Sequence, residues 1–333
     1  MGHTTVHPQP FIETTSKASL EHQAPSETSD PFEGALSIAI PYSMEALLGE
    51  GVEAFQARMR ALAAPLWREL PWRGVDDPYL VWISEVMLQQ TQVVRVQGRW
   101  ADWLERFPNV QALAQAPQAE VLQAWQGMGY NRRALALHRC AQAVVEQFDG
   151  IWPHGVKELT ALPGIGPSTA AGIRAFAFDE HGVYLETNVR AVLIHEFFPG
   201  TDKVADKELV PLVELTCPPS GQDVRGWYYG LLDIGAHLKK TLPNPTRRAS
   251  AYTRQSPFAG SRRQKRAGIV RILLSAHAQG EPLPEQEVYV RLASEELGAG
   301  RPAPEVALVQ DILADLAKEG FCTCDEQGLW NAR

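Results

Sequence analysis

Leu162-Pro163-Gly164-Ile165-Gly166-Pro167-Ser168-Thr169-Ala170 lies between two stretches whose apolar residues recur at helical spacing. Its glycines permit tight backbone turns and let a ligand approach the main chain. Pro167 suits the first turn of the helix that follows. The unbonded N–H groups and positive dipole end of that helix would then face outward and hold a phosphate. This is the form of a helix–hairpin–helix, although a plain turn between two helices has a similar composition. Such a hairpin would grip a DNA backbone through Gly164, Ile165, Gly166, Ser168 and Thr169. It would position a duplex without reading its sequence.

Working outward, helical spacing runs from near Met44 to Leu238, broken by Gly, Pro and Asp clusters. It is clear at Val110 to Ala116, Ala119 to Gln126, Arg132 to Phe148, Ser168 to Phe178 and Val204 to Leu215. No alternating strand pattern appears there, so many short helices predict an all-α domain. Residues 1–40 are rich in Thr, Ser, Pro and Glu without periodicity and read as a disordered tail. The helical domain covers 41–238, and a basic, Pro-rich loop covers 239–262. Residues 263–333 read as a small winged-helix-like domain. Its predicted helices are Gln264 to His277, Glu285 to Leu297 and Pro304 to Glu319, with a hairpin turning at Gln327-Gly328. Such modules bind DNA or protein, or simply pack.

The 333 residues carry a formal net charge of -8, which by itself argues against a nucleic-acid partner. Distribution matters more than the sum, because screening confines electrostatics to about 10 Å. From His237 to Arg271 the chain has no Asp or Glu but includes Lys239, Lys240, Arg247 and Arg248. That stretch suits a phosphate backbone, and a solvated linker is its alternative. The four cysteines lack the spacing of a zinc or iron–sulfur loop and read as free thiols, so no metal is expected. No apolar run reaches the roughly 20 residues of a membrane span. No signal peptide is evident, so the expected location is cytoplasmic.

Two carboxylates stand out. Glu85 lies in Ser84 to Gln92 among Trp82, Ile83, Val86, Met87 and Leu88. A carboxyl on a mostly apolar helix face has a raised pKa, as a general acid for a leaving group requires. Glu186 precedes the helical pattern Val189 to Phe197, where the helix dipole would favour its ionised form. One protonated and one anionic carboxyl suit glycosidic cleavage through an oxocarbenium-like sugar. Asn188 could add a positioning hydrogen bond. Each carboxylate alone also reads as an ordinary helix residue.

Together these segments resemble the helix–hairpin–helix (HhH-GPD) DNA glycosylase superfamily, most closely its adenine DNA glycosylase (MutY) branch. The likeness runs from about Leu70 to Ala236, through Leu70-Pro71-Trp72-Arg73, Ser84 to Gln92, Gly127-Met128-Gly129-Tyr130, the hairpin, Asn188-Val189-Arg190 and Leu232-Asp233-Ile234-Gly235-Ala236. The resemblance implies that Glu85 protonates the leaving base and that Glu186 stands where the family's Asp stabilises the sugar cation. It sets Gln89 and Gln90 near the base step that is opened. Ser168 takes the place of the catalytic Lys of bifunctional relatives, so no Schiff base can form there. The family's first cluster cysteine falls at Lys239, so no iron–sulfur cluster is expected. Its C-terminal Nudix-like domain is not apparent.

The expected function is monofunctional base excision from double-stranded DNA, on adenine opposite 8-oxoguanine or guanine. The enzyme would be a monomer, bacterial and nucleoid-associated. A sister glycosylase acting on an alkylated base or a mispaired pyrimidine is the second expectation. A catalytically silent DNA-binding protein is the third.

Overall fold

The structure, a computed structural model, describes Leu47 and residues 51–333. The expected tail 1–40 and the start of the helical pattern near Met44 lie outside the described residues.

Local chemistry explains most helix boundaries. Helix α1 (Val52–Ala63) runs into a short 3-10 turn, Ala64–Leu66. Helix α2 (Pro78–Leu88) starts where the Asp77 carboxylate accepts from the Tyr79 N–H at 2.7 Å, with Pro78 in the first turn. Helix α3 is Val93–Arg106; α4 (Val110–Gln115) is capped by Asn109, and α5 is Gln118–Ala124. Helix α6 (Arg132–Phe148) stops at Asp149, whose φ of +52° turns the chain left-handed. Helices α7 (Val156–Ala161) and α8 (Pro167–Ala177) flank the hairpin. Then come α9 (Thr187–Phe197), α10 (Asp206–Thr216) and α11 (Val224–Thr241).

The apolar faces meet around indoles. Trp103 packs between Phe107 and Trp125 at ring distances of 4.9 and 5.5 Å, under α4 to α6. Trp82 of α2 meets Trp152 at 4.9 Å. Helix α2 lies along α8, α9 along α11, and α11 along α1. The α9–α11 crossing is close because residue 235 is glycine. A Cβ there would stand 2.2 Å from the Asn188 carbonyl oxygen. The start of the domain is tied to α11 by a buried ion pair. Arg73 Nη1 and Nη2 each donate to an Asp233 carboxylate oxygen at 2.7 Å, and Arg68 donates to the same carboxylate.

Three local expectations need correction. Helix α11 runs on to Thr241, so Lys239 and Lys240 occupy its last turn rather than a loop. A 3-10 turn, Pro245–Arg248, follows, and Ala249 then forms a parallel bridge with Val204. Val204 had the spacing of a helix start, but α10 begins two residues later, where the Glu208 carboxylate accepts from the Ala205 N–H at 2.8 Å.

The C-terminal part is α12 (Arg262–Gln279), β1 (Leu283–Pro284), α13 (Glu285–Gly298), α14 (Val306–Glu319), β2 (Cys322–Cys324) and β3 (Leu329–Ala332). The strands form an antiparallel sheet in the order β1-β3-β2, a winged-helix arrangement. The hairpin turns where Asp325 Oδ1 accepts from the N–H groups of Gln327 and Leu329, at 2.9 and 2.8 Å. Strand β1 was not expected: two residues are too short to display alternation. This part packs on α5 and α6. Gln118 donates to the Gly320 carbonyl at 2.7 Å, and Glu319 accepts from both Arg132 and Arg266. Residues 51–333 accordingly fall in one compact unit, without a parting at 239 or 263.

Candidate active site

Glu85 leaves α2 toward α8, at Gly172. A Cβ on residue 172 would meet Glu85 Oε2 at 2.5 Å and the Tyr184 ring at 3.0 Å, so glycine is what lets the carboxyl enter. The Tyr184 hydroxyl donates to Glu85 Oε2 at 2.9 Å. Tyr184 is itself fixed by Phe176 and Tyr228, at ring distances of 5.1 and 5.3 Å. Enclosure of the carboxyl pushes Glu85 from 4.5 up to about 7, and the nearby Glu186 charge adds to the rise. The Tyr184 hydrogen bond opposes it. Burial holds Tyr184 well above its ordinary value, so its hydroxyl remains a donor.

Glu186 is the N-cap of α9. One carboxylate oxygen accepts from the Asn188 and Val189 N–H groups, the latter at 2.9 Å. The other lies 3.3 Å from the Asn188 side-chain amide. The side chain folds back over the helix end that it caps. The dipole argument expected the ionised form to be favoured, but burial outweighs it and Glu186 is raised. The two N–H groups, Lys239 and Arg190 only reduce that rise. Half-buried Lys239 is correspondingly lowered by burial and supported by the charge of Glu186. The field it feels is that of Glu186, where the sequence had offered it as an outer phosphate contact. Asn188 Oδ1 is buried and has no hydrogen-bond partner among the described residues.

The hairpin links α7 to α8. Gly164 has a φ of +77°, and a Cβ there would stand 2.6 Å from the Ala136 side chain of α6. Two requirements therefore meet at this glycine, left-handed backbone and close approach. Ile165 is buried, and its N–H returns to the Leu162 carbonyl at 3.2 Å, so it anchors the turn rather than facing outward. Gly166 and Ser168 are exposed. The N–H groups of Gly166, Ser168 and Thr169 have no protein acceptor among the described residues, the arrangement that holds a phosphate oxygen. Thr169 is buried, and its hydroxyl accepts from the Gln89 amide at 3.2 Å.

Gln90, exposed and left-handed at φ +55°, follows α2. Beside it stands Tyr130, also left-handed at φ +49°. Arg133 joins the two turns. Its guanidinium donates to the carbonyls of Val86, Met87 and Gln89, and to those of Met128 and Gly129. It therefore caps the C-terminal end of the helix that carries Glu85.

Among the basic residues, Lys240 and Arg247 are exposed. Arg248 is not outward: it donates to the carbonyls of Ile194, Phe198 and Thr201 and caps α9. Helix carbonyls attract a guanidinium as a phosphate would. On α14, Asp315 and Glu319 are paired with arginines, while Asp311 and, on the hairpin, Asp325 and Glu326 are exposed acids that disfavour phosphate there. Cys140, Cys217 and Cys322 are buried, whereas Cys324 is exposed. Burial pushes Cys322 up to about 12, so it stays a thiol. These separated cysteines do not fit an iron–sulfur cluster. No group of three or more His, Cys, Asp or Glu side chains among the described residues is arranged to hold a metal. No described helix is long and apolar enough to cross a membrane.

Tyr184, Arg133, Gly172 and the Arg73–Asp233 pair were not singled out as functional in the sequence. Tyr184 lies 99 residues from Glu85 and Arg73 lies 160 from Asp233, separations at which no periodicity signals contact.

Residues 83–217 match the model of the HhH-GPD superfamily base excision DNA repair protein. The chain is 36% identical over 170 residues to an adenine DNA glycosylase of Buchnera aphidicola subsp. Baizongia pistaciae, covering 51% of this chain and 48% of that protein. It is 41% identical over 154 residues to an adenine DNA glycosylase of Mycolicibacterium smegmatis, covering 46% and 52%. It thus spans about half the length of the curated relatives it matches. Among solved structures, a thermostable thymine-DNA glycosylase aligns at TM-score 0.49 and 24% identity, over 56% of this chain and 86% of that one.

Proposed function

We propose that this chain, whose residues 83–217 match the HhH-GPD superfamily of base excision DNA repair proteins, is a member of that superfamily and a monofunctional DNA glycosylase. Its substrate is double-stranded DNA with adenine opposite 8-oxoguanine or guanine, the adenine being flipped out of the stack. The observation that carries the reading is Glu85, enclosed beside Gly172, bonded by Tyr184 and raised to about 7. A carboxyl with that value is part protonated at neutral pH, which is what a general acid needs.

In the reaction Glu85 gives its proton to a ring nitrogen of the base while the C–N bonding electrons leave with that base. The ionised form of Glu186, held by the α9 N–H groups and by Lys239, stabilises the oxocarbenium-like sugar. Water adds to the sugar carbon, and its proton returns to the carboxylate pair. Asn188 orients Glu186. The N–H groups around Gly166 and Ser168 hold the backbone, and Gln89 and Gln90 face the opened step. Ser168 offers no amine, so the strand is not cut by lyase chemistry. The steps require no cofactor, and the enzyme works as a cytoplasmic, nucleoid-associated monomer.

The test is single-turnover base release from a duplex panel led by adenine opposite 8-oxoguanine. Release of adenine, with strand cleavage only after alkali, is expected. A second reading, another target base, is favoured by one observation. Glu186 is a residue longer by about 1.5 Å than the family's Asp, and displacements of about 1 Å can cost a hundredfold in rate. Release only from a duplex holding an alkylated base or a mispaired pyrimidine would select that reading.

A further inference from the structure

Most of the positive charge in α12 is neutralised within the C-terminal part. Arg262 pairs with Asp315 at 2.5 Å and Lys265 lies 3.6 Å from Glu296, while Arg266 and Arg271 pair with Glu319 and Glu295. Arg263 has no carboxylate partner among the described residues. Its Nη1 donates to the Tyr130 hydroxyl at 3.0 Å and lies 3.4 Å from Gln255 Oε1, and its Nη2 donates to the Ser256 carbonyl at 2.7 Å. The Gln255 amide donates in turn to the Tyr130 hydroxyl at 2.6 Å and to Gln90 Oε1 at 2.5 Å. Side chains from three separate parts of the chain therefore converge on one point, and an unneutralised guanidinium is among them.

The place matters as much as the chemistry. Gln90 is the neighbour of Gln89, whose amide reaches Thr169 in the first turn behind the hairpin, and it follows the helix that carries Glu85. The cluster thus lies at the end of the Glu85 helix and, through Gln89 and Thr169, close to the helix end whose N–H groups would hold a phosphate. Gln90 and Tyr130 both adopt left-handed backbone conformations, which persist in non-glycine residues only where the surroundings impose them. Removing one base from the stack leaves its partner with an unpaired hydrogen-bonding edge. One N–H of a guanidinium fork can donate to the O6 acceptor of a guanine, and the glutamine side-chain carbonyl can accept from the N–H donor beside it, N1–H in guanine or N7–H in 8-oxoguanine.

We infer that Gln255 and Arg263 read the guanine-class base opposite the one removed, Arg263 donating to its O6 and the Gln255 side-chain carbonyl accepting from the neighbouring ring N–H. The inference rests on the glycosylase reading above. Guanine and 8-oxoguanine share O6, and separate duplexes distinguish them.

The experiment uses the full chain. Adenine release is timed under single turnover opposite guanine, 8-oxoguanine, cytosine and an abasic site, for the wild type, Arg263→Leu, Arg263→Lys and Gln255→Leu. The wild type is expected to favour the two guanine-class partners. Both Leu variants should lose about 10- to 100-fold of that preference. Arg263→Lys keeps the charge without the fork, so it should lose preference while the salt slope of binding stays unchanged. An unaltered preference in all variants overturns the inference. So does a loss equal on every duplex and restored by Lys, which would make Arg263 a phosphate contact. The same preference is read by binding to duplexes with an abasic analogue opposite each base. A chain that released no base would refute the glycosylase reading, while the binding series would still decide this one.

Discussion

Replacing Glu85 by Gln should abolish base release and, at neutral pH, make the protein more stable. Glutamine keeps the shape and an acceptor for the Tyr184 hydroxyl, but it cannot ionise. In the wild type the carboxyl rises from 4.5 to about 7 on folding. The folded state therefore binds more protons than the unfolded chain between those values, and stability falls as pH rises through them. The stability is fully present below the unfolded value and lost as the folded value is passed. Integrating that linkage gives a cost of about 1 kcal/mol at pH 5 and about 3 kcal/mol at pH 8. The glutamine variant escapes this cost, so its advantage over the wild type should grow by about 2 kcal/mol between the two pH values. Urea unfolding of both proteins at pH 5 and pH 8 measures it. In parallel, the wild-type single-turnover rate should fall about tenfold per pH unit above 7, as the acid form is depleted. A stability difference that does not change with pH would refute the assignment of Glu85 as an enclosed acid, whatever the variant does to activity.

Other substitutions test the parts that support the site. Gly235→Ala drives a methyl into the Asn188 backbone, which would lie 2.2 Å away. It should lower both thermal stability and base release, and an unchanged melting temperature would show that the α9–α11 crossing is looser than described. Arg73→Ala leaves Asp233 buried with only Arg68 beside it and should cost about 3–5 kcal/mol in urea unfolding. Full stability in that variant would count against the buried pair. Arg247→Ala should reduce the salt slope of duplex binding by roughly one while leaving stability intact. Arg248→Ala should do the reverse, because its guanidinium caps α9. Equal salt effects from the two would return Arg248 to the phosphate surface.

Much of this protein was legible before any tertiary contact was considered. Some helix boundaries were, such as Arg132 to Phe148, because a stop like the left-handed Asp149 acts within a few residues, whereas the start at Val204 and the end at Leu238 were not. The hairpin was legible too, since two glycines and a proline restrict their own backbone. The position of Glu85 on an apolar helix face predicted its raised pKa, because its helix neighbours contribute to the enclosure. What depends on distant segments was not legible. The pKa of Glu186 was expected to follow its helix end, but burial of the carboxyl outweighs the helix-end N–H groups and Lys239 of α11. Arg247 and Arg248 look alike in sequence, and only folding turns one outward and the other onto the carbonyls of α9. Likewise, four of the five basic residues in α12 meet carboxylates brought by later helices, which leaves Arg263 for Tyr130 and Gln255. The sequence determined which groups exist and which local backbone they prefer. Desolvation and pairing arise between surfaces far apart along the chain, so the tertiary structure alone decided which charges remain free to act.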